Sequence, residues 1–501
     1  MTISRRQFFL SSVMAALAAG SARASGAEMP FDPGQVVQRA RDMARMKYHA
    51  RAEVPQDWRD LSYEHYRMIW PRHDRSLWHG TDRSYEVDFF HPGNFFPRPV
   101  TMNVVENGVA RPVAFDINRY DRTDQVPELT VDESLGYSGL RLRTELDGSG
   151  HKNEFCVFQG ASYFRAIGAG EIYGLSARGL ALRTGDPGGE EFPEFVEFWL
   201  ESPGPDQREI IVHALLDSPS VTGAYRFEIT PGLACVMEVE ATLFPRVDLD
   251  HVGLGPVTSM FLFDEKDRTR FHDFRPAVHD SDGLLIRNGN GEVLWRPLSN
   301  PRELQISSFL DQMPQGFGLL QRPREFSDYN DLEALYHKRP GLWVEPKGDW
   351  GPGAVTLVEI PADREVYDNI VAYWRPANPF PAGAEVPLAY RLTWGQDEPL
   401  SGGPARVMNT AMGKGWHSGE LVAIDFEANP IFDGGLDEID IHVVSPHAET
   451  TAGVLERNPE TGGPRLAFGF EPGERSMVEL RAQLRKGGAA ASEVWLYRWT
   501  K

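Results

Sequence analysis

Apolar positions along the chain change period once. Between Asp32 and Ala44 they recur at helical spacing. Val36, Val37, Ala40, Met43 and Ala44 form one stripe, with Asp32 placed to cap the N-terminus and Pro33 at the first helical position. One clear helix is predicted there. From about residue 84 the period falls to two, as in Tyr85, Val87 and Phe89 with Glu86 and Asp88 between them, and again from Phe195 to Trp199. Longer strand-like runs follow at 225–244 and 257–263. Turn signals punctuate them: DPGG at 186–189, NGNG at 288–291 and GPG at 351–353. So many strands over roughly 300 residues predict a large antiparallel β-sandwich.

The pattern breaks at 395–404, where GQDEPLSGGP has almost no apolar content. Beyond it, strands are expected at 421–426, 439–444, 465–470 and 494–499, a size and spacing that suit an immunoglobulin-like sandwich. The expected organisation is a body at 25–395, a linker at 396–405 and a C-terminal domain at 406–501. No internal repeat or low-complexity segment is visible.

The first 24 residues are a different object. Ser4, Arg5, Arg6, Gln7, Phe8, Phe9 and Leu10 lead into an apolar run from Leu10 to Gly20, then Ala22-Arg23-Ala24 as a small-x-small cleavage site. The run of about 11 residues is short of the ~20 needed to span a bilayer. It is expected to be a twin-arginine signal peptide, directing the chain to the periplasm with no membrane insertion.

Composition narrows the classes further. The 501 residues are 41% hydrophobic and 25% charged, an ordinary globular balance that excludes disorder as the main state. With 72 Asp+Glu against 51 Lys+Arg the net charge is −21. Cleavage after residue 24 removes three arginines and no acid, leaving 48 bases and a charge of −24. Such a surface repels nucleic acid and anionic membranes. Cys156 and Cys235 allow at most one disulfide, so cross-links do not hold the fold together.

Common cofactor signatures are missing: no GxxxxGK[ST] loop, no GxGxxG after a strand, no HExxH. Ser176 is not in a GxSxG elbow, because the second glycine comes one residue late. Asp280-Ser-Asp282-Gly283 is a fragment of a calcium loop, with Gly291 where the twelfth-position Glu should be. His272 and His279 fit hydrogen-bonded loop histidines better than a metal pair. No cofactor or metal is implied.

Three features could carry chemistry. Aromatic residues crowd 58–90 (Trp58, Tyr63, Tyr66, Trp70, Trp78) and 329–374 (Tyr329, Tyr336, Trp343, Trp350, Trp374). Aromatic planes cover the apolar faces of sugars while Arg and carboxylates bond their hydroxyls, although for any one ring a core position is the simpler account. The segment 327–346 can begin with a short helix capped by Ser327 or Asp328, with Leu332, Leu335 and Tyr336 on one face and Pro340 ending it. That makes it either a binding wall or a solvated charged helix. Finally, two acidic clusters lie far apart, one at Asp280 and Asp282, the other at Asp363, Glu365 and Asp368. Glycoside cleavage needs one protonated carboxyl and one ionised group. Asp368, at a strand entrance beside aromatic and apolar residues, is expected to be desolvated enough to raise its pKa.

Several long stretches occur in an order that resembles the OpgG/OpgD (MdoG) family of periplasmic glucan biosynthesis proteins. They are GASYFRAIGAGEIYGLSARGL at 160–180, EEFPEFVEFWLE at 190–201, TSMFLF at 258–263, FRPAVHDSDGL at 274–284, residues 342–359, and DNIVAYWR at 368–375. The likeness runs from about Phe31 to the C-terminus, and the twin-arginine leader leans toward the OpgD branch. It implies an all-β fold, a galactose-mutarotase-like sandwich joined to an immunoglobulin-like domain. It further implies action on the β-1,2-glucan backbone of osmoregulated periplasmic glucans, as an inverting endo-glucanase or a transglycosylase. By resemblance Asp368 is the general acid, Asp280 the general base, and Glu365 a second acid of the same cleft. Tyr336, Arg339 and Trp343 would line the glucan groove. Two other functions stay open: a non-catalytic glucan-binding scaffold assisting the membrane glucan synthase, and a mutarotase or epimerase by fold analogy. Homodimerisation is left open too.

Overall fold

The computed structural model describes residues 29–396, 402–415 and 418–501. The leader at 1–24 and the centre of the expected linker, 397–401, lie outside the described residues.

The N-terminal helix spans Pro33–Ala44, and the Asp32 carboxylate accepts the Gly34 N–H at 2.9 Å. Its stripe buries Val36 and Ala40 against Trp199, Leu215, Ala224 and Phe244, closing the outer face of a sheet.

Almost everything else is strand. A 16-stranded sheet and a 10-stranded sheet pack face to face, so the expected all-β sandwich is present. Their inner faces meet through rings: Phe164 of the smaller sheet lies 5.2 Å from Phe227 and 5.9 Å from Trp394 of the larger, centroid to centroid. The run at 225–244 falls in two strands, Val221–Thr230 and Cys235–Pro245, paired antiparallel across the turn that Pro231 and Gly232 impose.

Two local expectations are corrected. The strand Tyr85–Phe90 forms, but its polar positions do not face water: Glu86 and Asp88 are buried. Asp88 is tolerated there because Arg141 Nε donates to it at 2.7 Å. The run at 257–263 likewise breaks at Met260. Val252–Ser259 belongs to the 10-stranded sheet, whereas Phe261–Phe263 leaves it to pair with Val278–His279.

The C-terminal strands form at Glu420–Phe426, Ile439–Val444, Pro464–Glu471 and Val494–Thr500. Three of the C-terminal strands, Ile439–Val444, Met477–Lys486 and Val494–Thr500, extend the 16-stranded sheet. The join is a short parallel pairing, Leu294 to Val494 and Trp295 to Trp495. A five-stranded sheet covers them, and the core between includes Leu285, Trp295, Leu320 and Trp343 from the main body. A buried ion pair spans the same join, with Arg322 donating to both Glu493 oxygens at 2.7 and 2.8 Å. Cys156 and Cys235 are both free and buried.

Candidate functional site

Met260 and Phe261 bring the distant acidic clusters together. The Met260 carbonyl accepts the Asp280 N–H at 2.8 Å. The Asn369 carboxamide accepts the Phe261 N–H at 2.9 Å and donates to the carbonyls of Phe261 at 2.9 Å and Ile360 at 3.0 Å. Asp280 and the residue preceding Asn369, Asp368, are therefore fixed to the same short piece of chain. Asn369 is a positioning residue by this geometry. Asn369→Ala would strand one buried N–H and two carbonyls, and is expected to cost roughly 2–4 kcal/mol in chemical denaturation.

Asp280 is buried and its Oδ1 receives a hydrogen bond from the Arg339 guanidinium. Burial pushes its carboxyl above the usual range, Arg339 opposes this, and the nearby Asp368 charge adds to the rise. The Asp368 charge therefore lies in the electrostatic neighbourhood of Asp280. Arg165 stands with them: its Nη2 lies 3.7 Å from Asp368 Oδ2, and its charge also acts on Asp280. Its Nε is held by Ser176 Oγ at 2.7 Å.

The expected desolvation falls on the other carboxyl. Asp368 keeps 37% of its side chain exposed beside a cation, whereas Asp280 is backed by the buried His279 ring stacked on Phe261 at 5.3 Å. Burial holds that imidazole neutral, pushed down to about 3. His279 is thus a core residue rather than a loop histidine, and His272 is exposed apart from it.

A chain of contacts leads from Asp280 to the third acid. The Arg339 guanidinium lies 4.4 Å from the Tyr336 ring centroid, and the Tyr336 hydroxyl donates to Glu365 Oε2 at 3.1 Å. Arg275 Nη1 then bridges Glu365 at 2.8 Å and Asp331 at 2.7 Å. Asp280, Arg339, Tyr336 and Glu365 are thus connected directly, while Asp368 pairs with Arg165, whose charge also acts on Asp280. Tyr336 presents its hydroxyl, since its ring face is covered by Arg339.

Trp343 is corrected. It lies on Gly341–Lys347 with Leu342 and Val344 pointing to the main core and its own ring to the core shared with the C-terminal strands. Gly316 leaves space for that ring, because a Cβ there would sit 2.2 Å from it. Strand alternation turns Trp343 away from the acids. The expected helix at 327–339 is absent too. Two 3₁₀ turns, Phe326–Asp328 and Tyr336–Lys338, flank a loop in which Asp331 accepts the N–H groups of Glu333 and Ala334 at 2.8 and 2.7 Å. Leu335 takes φ +46°, and Leu332 is 82% exposed while Tyr336 is buried, so no common apolar face exists. Gly174 lets this loop close, since a Cβ there would stand 3.0 Å from Arg339 Cβ.

Beside Arg165 the surface opens into two adjoining cavities of about 260 and 530 Å³ that share Phe96, Gln159, Gly160, Ala161 and Tyr163. Tyr163 also senses the Asp368 charge, and Tyr367, half exposed, precedes Asp368 in the chain. Most rings of the two aromatic crowds, including Trp58, Tyr329, Trp350 and Trp374, are core. Arg165, Arg275 and Tyr163 were not singled out from sequence, though all three sit in the long motifs at 160–180 and 274–284. Behind Asp280, Asp264, His279 and Asp282 cluster closely enough to ligate a metal, but the buried Lys266 ammonium pairs with Asp264 and fills that role.

Residues 31–499 match the family described as "Periplasmic glucan biosynthesis protein, MdoG", and the chain belongs to that family. It is 47% identical over 480 residues to the "Glucans biosynthesis protein G" of Vibrio cholerae serotype O1, covering 94% of this chain and 87% of that one. The protein of the same description from Shewanella frigidimarina is 47% identical over 476 residues, covering 94% and 85%. "Glucans biosynthesis protein G 1" of Shewanella oneidensis is 45% identical over 476 residues, covering 94% and 87%. These names carry the letter G, not the D toward which the leader leans. Membership gives the chain a role in periplasmic glucan biosynthesis, and no helix among the described residues is long and apolar enough to cross a membrane.

Proposed function

We propose that this protein cleaves or transfers the β-1,2-glucan backbone of osmoregulated periplasmic glucans, as an inverting endo-glucanase or a transglycosylase. It would be exported by the twin-arginine route and cleaved after Ala24. The body at 25–395 would bind and process glucan, and 406–501 would form the immunoglobulin-like domain. The observation that carries the reading is the fixing of Asp280 and Asp368 to Met260 and Phe261, with Arg165 beside Asp368 and an aromatic-lined trough alongside.

In this reading Asp368 protonates the departing glycosidic oxygen. A glucan lying along Tyr163 and Tyr367 would exclude water from its half-exposed carboxyl on binding. Asp280 is too enclosed to meet a sugar directly, so it takes its proton through a water or a substrate hydroxyl, with the Arg339 guanidinium opposing the rise that burial imposes on its carboxyl. Glu365, held by Tyr336 and Arg275, fixes the wall of the cleft.

The test is incubation of purified mature protein with linear β-1,2-glucan, with products analysed by mass and anomeric configuration. Cleavage with inversion, or a cyclised product, supports the reading. Glucan affinity with no new reducing end and no cyclised product would instead identify a scaffold that guides nascent glucan from the membrane synthase.

A further inference from the structure

A second constellation stands at the far edge of the 10-stranded sheet, three strands beyond Tyr163–Ala166. The loop after Pro71 folds over the edge strand Tyr85–Phe90, and Leu77 pairs with Val87. This places His73 and His79 above Glu86. His79 Nδ1 lies 3.2 Å from one Glu86 oxygen, and His73 Nδ1 lies 3.5 Å from the other. All three ligand atoms fall within 4.8 Å of one another. A tetrahedral zinc with bonds of ~2.0–2.1 Å requires ligand atoms roughly 3.3–3.4 Å apart, and the two histidine contacts, made to different oxygens of the Glu86 carboxylate, lie close to that spacing.

Glu86 supplies an independent observation. It is 5% exposed, and its Oε2 is buried without accepting a hydrogen bond. Native proteins seldom leave a buried carboxylate oxygen without a donor. The two histidines are exposed, so an ion can enter from solvent.

Two cations compete for the place. Lys152 Nζ lies 3.6 Å from Glu86 Oε1, and Arg143 Nη1 donates to His73 Nδ1 at 2.5 Å. Both have other partners: Lys152 donates to the Arg83 carbonyl at 2.7 Å, and Arg143 lies 3.6 Å from Asp88. A dication at the site would release Arg143 toward Asp88.

The geometry points to a binding site for one divalent transition metal of the zinc class, held by His73, His79 and Glu86 with water in the fourth position. The ion would pin the 72–80 loop to the sheet edge, apart from the glucan trough.

The experiment uses tag-free mature protein, stripped with chelator and titrated with zinc chloride by calorimetry. Cobalt(II) serves as a spectroscopic probe of tetrahedral geometry. One equivalent of zinc should bind, with intense visible cobalt bands. Glu86→Gln and His79→Gln should each weaken zinc binding by ~100-fold or more. His79→Gln changes an exposed side chain, so it keeps the test valid if Glu86→Gln fails to fold. Absence of saturable zinc binding, or wild-type affinity in His79→Gln, would overturn the proposal.

Discussion

Asp368→Asn is expected to lower turnover of β-1,2-glucan by about 10²- to 10⁴-fold, the range usual for loss of a general acid. Glucan affinity should stay near the wild-type value, because the carboxamide keeps the size and hydrogen-bonding reach of the carboxyl. The fold should be unaffected: Asp368 is half exposed and its ionic contact with Arg165, at 3.7 Å, is of the kind that contributes little to stability. Steady-state assay with a reducing-end readout, beside calorimetric binding of a non-turned-over glucan, separates the two effects. Undiminished turnover in a folded Asp368→Asn protein would remove this residue from the chemistry.

Arg339→Met should act on stability and on the pH profile together. It removes the cation from a buried carboxylate, a change that typically costs ~3–5 kcal/mol. The sign follows from the direction of the Asp280 shift. Burial already holds this carboxyl above its unfolded value, and losing Arg339 raises it further. A group whose folded pKa is raised favours the native state only while it is protonated. The deficit of Arg339→Met relative to wild type should therefore be small near pH 4 and grow as pH rises through the folded pKa of Asp280. In kcat/KM the acid limb should move to higher pH, because the base must be ionised. Arg339→Lys should restore part of both. Urea denaturation from pH 4 to 8 checks the first point. A deficit that did not change with pH would mean that Arg339 acts through its bond to the Ala334 carbonyl instead.

Local signals served well where local physics decides. The stripe at 36–44 became a helix with the expected cap, whereas the single run expected at 225–244 folded into two strands turning at Pro231 and Gly232. They failed at 327–339, where apolar spacing allowed a helix but the Asp331 side chain took the N–H groups that would have begun it. They failed also at Glu86 and Asp88, since alternation reports which residues differ in polarity and not whether water reaches them.

The candidate site shows the same division. The identity of the acids was legible at Asp280, Glu365 and Asp368, because runs of functional groups in the family's motifs mark them. Which carboxyl would be buried was not, since burial depends on chain segments remote in sequence. Phe261 and His279 enclose Asp280, while nothing comparable covers Asp368. Trp343 illustrates the point from the other side: its type fits a sugar platform, but its place on a strand between Leu342 and Val344 gives its ring to the second core. The amino-acid order by itself determined that this is an acidic, strand-rich chain of a glucan-handling family, because periodicity, charge and motif are properties of neighbours along the backbone. Only the folded chain decided that Arg165 would stand beside Asp368 with its charge acting on Asp280, and that His73, His79 and Glu86 would converge. Electrostatic fields and ligand spacing act through space, over a few ångströms that the sheets set and the sequence interval does not.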